Sequence, residues 1–200
     1  MRKIGLLGGT FNPVHKGHLQ LAEGASALFG LDAIYFIPTG QSYHKKVGYI
    51  PSREDRLKLL ELALEGHPEF KVSTVDLDRP GPTYTVDTVD DLRKIEPEAE
   101  LYLILGSDAF LDIMSWRDVD DLCRNLRFLV ALRKGVGKLV VDSYLHDAPD
   151  YLKDRTLLFD WPIASISSEE IKRGGFKKKH FPGKVYEYIK EKGLYPDDLR

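Results

Sequence analysis

The stretch best equipped for chemistry is Gly8-Gly9-Thr10-Phe11-Asn12-Pro13-Val14-His15-Lys16-Gly17-His18, which follows a short apolar run and leads into a helical one. Gly8 and Gly9 leave the backbone bare, so their N–H groups can approach an anion closely. His15 and His18 stand three apart with Gly17 between them. Both imidazoles can therefore face one ligand, and Gly17 leaves room for it. The helix that follows brings its positive N-terminal end to the same spot. Together these features describe a cradle for phosphate. Two familiar cradles do not apply: Gly5-Leu6-Leu7-Gly8-Gly9 does not fit G-x-G-x-x-G, and G-x-x-x-x-G-K-[ST] occurs nowhere. A metal on the two histidines stays open, although no third ligand stands at a recognisable spacing. Taken singly, paired glycines after a strand are mostly a turn, and two such histidines are mostly surface residues. The whole string, placed at one strand end, is what points to function.

The elements that must position this string alternate along the chain. Apolar runs at 3–7, 33–38, 71–76, 100–105 and 127–132, with a weaker one at 157–159, read as strands buried on both faces, as in a parallel sheet. Between them lie helical stretches at 18–28, 52–65 and 84–95, and a broken one over 108–123. Two more helices close the chain, one from Ser167 or Ser168 and one over 185–192. Ser52 follows Pro51 and has Asp55 three residues on, which predicts an N-cap with an acidic first turn. Strand–helix alternation predicts an α/β fold, a doubly wound parallel sheet flanked by helices with right-handed crossovers. No repeat, low-complexity tract or linker interrupts it, so a single domain over 1–200 is expected. Ligands of such sheets bind beyond the carboxyl ends of the strands, where the winding reverses. The glycine–histidine string lies at such an end.

Composition narrows the function classes. The chain has 200 residues, 42% of them hydrophobic, enough for an ordinary core. Its 29 Lys+Arg against 31 Asp+Glu give a net charge of −2, which argues against nucleic acid or an anionic membrane as a partner. No run approaches the roughly 18 apolar residues of a membrane span, and residues 1–9 hold too short an apolar stretch for a signal peptide. The lone Cys123 excludes an intrachain disulfide and a cysteine-rich zinc site. A cytoplasmic location is expected.

Gly-Gly-Thr-Phe-Asn-Pro-Val-His-Lys-Gly-His resembles the nucleotidylyltransferase signature [ST]-x-x-P-x-H-x-G-H, which holds the phosphates of ATP. Further motifs resemble one branch, the bacterial nicotinate-nucleotide adenylyltransferase family. Gly81-Pro82-Thr83-Tyr84-Thr85-Val86-Asp87-Thr88 is similar to its S-Y-T-x-D-T motif. Leu105-Gly106-Ser107-Asp108, Ser115-Trp116 and the segment from Phe128 to Arg133 follow its G-x-D…W…R order. Ile166-Ser167-Ser168-Glu169-Glu170-Ile171-Lys172 is similar to I-S-S-T-x-I-R, and Tyr188-Ile189 with Leu194-Tyr195 to the family's ending. The likeness runs through nearly the whole chain, in the family's order.

The resemblance implies a Rossmann-like sheet of nucleotidylyltransferase type. It implies transfer of the adenylyl group of ATP, accompanied by Mg²⁺, to nicotinate mononucleotide, giving deamido-NAD and pyrophosphate. His15 and His18 would bracket the triphosphate beside Gly8, Gly9, Thr10, Phe11 and Gly17. Ser167, Ser168 and Lys172 would serve the distal phosphates, and Arg133 would touch ATP. Gly106 and Asp108 would meet the adenosine side or help set an ion. His44 and Lys45 would close on the mononucleotide phosphate. Trp116 would stack on the nicotinate ring, with backbone N–H groups near Thr85 and Arg117 on its carboxylate. Three departures stand out: Glu169 for Thr, Lys172 for Arg, and Ser42-Tyr43 for a Pro-Pro pair. The related enzymes for nicotinamide mononucleotide and phosphopantetheine share the H-x-G-H core, but Thr83–Thr88 and Ser115-Trp116 favour the nicotinate branch. A nucleotide-binding sensor without turnover is the alternative from another class; Glu169 and Lys172 speak for it, and intact His15 and His18 against it.

Overall fold

The structure, a computed structural model, describes residues 1–42, 49–132, 137–174 and 176–196. Its frame is β1 (Lys3–Gly9), β2 (Ala33–Pro38), β4 (Phe70–Val72), β6 (Glu100–Gly106), β7 (Leu126–Ala131) and β8 (Thr156–Phe159). These pair in the order β4-β2-β1-β6-β7-β8, every pair parallel. A second, two-stranded pairing joins β3 (Gln41–Ser42) to β5 (Pro82–Thr83). The helices are α1 (Lys16–Phe29), α2 (Arg53–Ala63), α3 (Val75–Asp78), α4 (Thr85–Ile95), α5 (Ser107–Phe110), α6 (Val119–Asn125), α7 (Lys138–Asp147), α8 (Asp150–Lys153), α9 (Ser168–Gly174) and α10 (Val185–Glu191).

The apolar runs bury both faces because strand side chains alternate. On β6, Leu101, Leu103 and Leu105 enter one core while Tyr102 and Ile104 enter the other. On β7, Phe128 and Val130 share the first core, Leu129 and Ala131 the second. The chain winds outward from β1 through β2 to β4, then returns to β6 on β1's other side. The winding therefore reverses between β1 and β6, and a crevice opens beyond their carboxyl ends.

Several elements differ from the sequence reading. The run at 71–76 is not one strand: β4 stops at Val72, and residues 75–78 form a helical turn. Ser73 N–H still bonds Phe36 O at 2.9 Å, but Thr74 then turns the chain, its hydroxyl donating to Asp78 at 2.6 Å. The first helix begins at Lys16 with His15 as its cap, earlier than expected. The broken stretch over 108–123 resolves into α5, a 3₁₀ turn at Ile113–Ser115 and α6. Ser52 caps α2 as predicted, accepting from Asp55 N–H at 3.0 Å. Among the described residues no helix is long and apolar enough to cross a membrane.

Candidate active site

The glycine–histidine string turns off the end of β1 into α1. Arg56 of α2, buried, holds this turn by donating to Thr39 O at 2.8 Å and Thr10 O at 3.5 Å, tying the ends of β1 and β2 together. Burial lowers the pKa of that guanidinium from its ordinary value. Phe11 adopts a left-handed φ of 43°, a sparsely populated region for a residue with a side chain. Its ring is buried and meets His18 edge-on at 5.0 Å. His15 is 2% exposed, and its ring stacks on His18 with centroids 3.7 Å apart. His15 N–H donates to His18 Nδ1 at 3.1 Å. That bond leaves Nδ1 as an acceptor, so a neutral His18 carries its proton on Nε2 and presents a donor there. Gly17 works differently from the expectation: a Cβ there would lie 3.0 Å from His15 Nδ1, so its missing side chain makes room for the His15 ring.

The string, β6's end and α9 together enclose a cavity of about 440 Å³. Gly8, Gly9, Thr10, Phe11, His15 and His18 line one side of it, with Ser167, Ser168 and Lys172 from α9's start. Thr85 and Trp116 line it as well. Ser167 and Glu170 form a reciprocal cap: Ser167 N–H donates to Glu170 at 2.7 Å and Glu170 N–H to Ser167 Oγ at 3.2 Å. Ser168 Oγ donates to Pro13 O at 2.9 Å, which fixes α9 against the string. Lys172 points inward, its side chain 13% exposed and 3.2 Å from Glu169. Arg173 points outward at 83% exposed. The guanidinium of Arg117 lies 4.8 Å over the Tyr84 ring and within 4.0 Å of Asp87. This brings the backbone after Trp116 to the start of α4.

A second cavity, about 570 Å³, adjoins the first and shares Asp108 and Ser167 with it. Its wall is the segment from Asp160 to Ser167, including Trp161.

Residues 6–174 match the family described as Cytidylyltransferase-like. A "Probable nicotinate-nucleotide adenylyltransferase" of Saccharopolyspora erythraea is 40% identical over 198 residues, covering 97% of this chain and 90% of that protein. A protein of the same name from Dehalococcoides mccartyi is 41% identical over 198 residues, covering 96% of this chain and 97% of that one. The chain belongs to the nicotinate-nucleotide adenylyltransferase family. A solved Plasmodium falciparum nicotinic acid mononucleotide adenylyltransferase, complexed with NaAD, shares the fold with a TM-score of 0.78 at 22% identity, covering 100% of this chain and 99% of that one.

In this family member most of the expected site residues fall on one cavity. Gly106 caps α5 at β6's end, beside it. The Arg117 side chain lies against Tyr84, Asp87 and Asp118 and does not line this cavity. His44, Lys45 and Arg133 lie outside the described residues. Sequence reasoning missed Asn12, Asp76, Thr83 and Thr88, which also line the cavity. Asn12 is 1% exposed; its amide donates to Tyr49 O at 2.9 Å, while its buried Oδ1 has no partner among the described residues. The one available signal for it was its place inside the string. Asp76 carried none, since its run read as strand.

Proposed function

We propose that the chain transfers the adenylyl group of ATP to nicotinate mononucleotide, releasing deamido-NAD and pyrophosphate, as a cytoplasmic step of NAD biosynthesis. The observation that supports this most is the shared cavity, which the His15–His18 pair and Lys172 line together with Trp116 and Thr85. The first set suits a triphosphate and the second a flat, anionic ring. The adjoining cavity past Asp108 is sized for the adenosine half.

The acceptor's 5′-phosphate is already anionic at neutral pH and needs no base to activate it. An oxygen of that phosphate bonds to the α-phosphorus of ATP, the α–β bridging bond breaks, and its electrons leave with pyrophosphate. The protein's task is alignment and charge stabilisation. His18 donates from Nε2 to a phosphate oxygen, His15 sits beside it, and the N–H groups of Gly8, Gly9 and Thr10 face the same anion. Lys172 supplies the cation for the leaving group, reached by exchanging Glu169 for phosphate. Ser167 and Ser168 hold α9 in place, and Ser168 offers an N–H group from its start. Phe11 and Gly17 keep the histidine pair in register, and Gly106 and Asp108 flank the adenosine. Trp116 stacks on the nicotinate ring, while N–H groups at Thr85 and Arg117 face its carboxylate. His44, Lys45 and Arg133 keep the roles that the family resemblance implies.

Mg²⁺ enters with ATP, since this ion characteristically binds through substrate phosphates and one or two carboxylates. Asp108, the carboxylate common to both cavities, fits that need. The ion would neutralise charge on the departing pyrophosphate.

ATP labelled at the α-phosphorus tests the reading. Label should pass into a dinucleotide only when nicotinate mononucleotide is present, with pyrophosphate formed in equal amount. Label retained in ATP with that acceptor, but transferred to phosphopantetheine, would overturn it.

A further inference from the structure

The wall beside Thr85 is organised by a residue the reaction itself does not require. Asp76, in the single turn of α3, is 4% exposed and lines the cavity. Its Oδ1 accepts from the Thr88 hydroxyl at 2.6 Å and from Arg79 Nη1 at 3.1 Å. Thr88 Oγ1 also lies 3.1 Å from Tyr84 O, but a hydroxyl has one proton, and the shorter bond to a carboxylate is the stronger. Arg79 continues the chain: it donates to the Asp87 carbonyl at 3.1 Å and to the Asp91 carboxylate at 3.1 Å through Nε. Asp76 therefore grips α4 twice, directly through Thr88 and by way of Arg79 at Asp87 and Asp91. Burial raises the pKa of the Asp76 carboxyl, opposed by its bonds from Thr88 and Arg79.

The backbone of Asp76 grips a third segment. A Cβ at Gly40 would lie 2.4 Å from Asp76 O and 3.2 Å from Thr83 Oγ1. The loop after β2 thus rests directly on α3. Thr83 Oγ1, on the same wall, is buried without a hydrogen-bond partner among the described residues. One aspartate therefore joins the loop after β2, α3 and the first two turns of α4. The phosphate side is built separately, by α1 and α9.

We infer that Asp76 is a positioning residue for the acceptor nucleotide: by fixing the first turn of α4 against Gly40, it sets the N–H groups near Thr85 and the cavity lining around them without taking part in ATP binding. A carboxylate is needed because it must receive a hydroxyl and a guanidinium at one oxygen, and loss of either bond frees the helix start that faces the acceptor ring.

The test is steady-state kinetics of Asp76→Ala, Thr88→Val and Thr88→Ser with ATP and nicotinate mononucleotide varied separately. Asp76→Ala and Thr88→Val should raise the KM for the mononucleotide by about tenfold or more while the KM for ATP stays within about twofold. Thr88→Ser, which keeps the hydroxyl, should restore most of the mononucleotide KM. Should Asp76→Ala fail to fold, the Thr88→Val and Thr88→Ser pair decides alone. A parallel rise of both KM values in Thr88→Val, or a wild-type KM for the mononucleotide in it, overturns the positioning role. The inference rests on the acceptor occupying this end of the cavity; a wild-type enzyme inert toward nicotinate mononucleotide refutes that assignment instead.

Discussion

Lys172 and Arg173 are adjacent in sequence but should differ sharply in consequence. A step of one residue turns a helix by about 100°, and the structure sends Lys172 into the cavity and Arg173 to solvent. A charge-assisted hydrogen bond from a largely buried ammonium to phosphate is worth roughly 1.5–3 kcal/mol. At about 1.4 kcal/mol per tenfold, Lys172→Ala should weaken ATP binding by roughly 10- to 150-fold. Arg173, 83% exposed, works through water and salt and should change binding by less than about threefold on alanine substitution. Glu169 enters the same calculation, because Lys172 neutralises it at 3.2 Å. Removing the lysine leaves Glu169 beside the triphosphate with the solvent-exposed Arg173, 3.8 Å away, as its remaining cation among the described residues, so Lys172→Ala/Glu169→Gln should recover part of the loss. ATP titration by calorimetry, with initial rates at low and high salt, reads all three variants. A larger loss in Arg173→Ala than in Lys172→Ala would refute the argument and place the phosphate contact one residue further on.

Three other perturbations have outcomes fixed by local geometry. His18→Ala should cut kcat by roughly two to four orders of magnitude, as loss of a preorganised donor does, with circular dichroism unchanged; near wild-type turnover would remove His18 from the site. Gly24→Ala puts a methyl 2.4 Å from the Trp161 ring, so overpacking should cost about 1–3 kcal/mol in urea unfolding and disturb the wall of the larger cavity; unchanged stability and unchanged ATP KM would show the indole yields freely. Burial pushes the Cys123 thiol up to about 11, so the folded chain keeps this proton to higher pH than the unfolded chain does. Its contribution to stability is whole below the ordinary thiol range and declines as pH rises through about 11. Unfolding midpoints of wild type against Cys123→Ala over that range should show the wild type losing more; parallel pH profiles would contradict the burial.

What the sequence discloses and what it conceals divide on physical lines. The apolar runs of β1, β2, β6 and β7 are legible because they are buried on both faces, and the string after β1 because its chemistry is contiguous. α7 is harder to read: Val141, Tyr144, Leu145 and Ala148 stand at helical spacing and pack on the core, but the exposed Leu139 and Val140 blur that stripe into an apolar run. The end of β4 is hidden because its limit is set by tertiary partners. Asp76 takes a donor from Thr88 and Asp78 one from Arg53, both distant in sequence, and no local pattern announces them. In the site, His15, His18, Lys172 and Trp116 could be named from motifs. Asn12, Arg56 and Asp76 act through hydrogen bonds to Tyr49, to Thr10 and Thr39, and from Thr88, and only the fold brings those together.

The most direct test of the central claim is the ratio of kcat/KM for nicotinate mononucleotide over nicotinamide mononucleotide, measured on the wild-type protein with ATP. The donors proposed at Thr85 and Arg117 would suit a carboxylate, whereas an amide NH₂ would meet a donor with a donor, at about 1–3 kcal/mol for each buried mismatch. Two mismatches predict a preference for the acid of roughly 10²–10⁴. Equal kcat/KM values for the two mononucleotides would contradict the account.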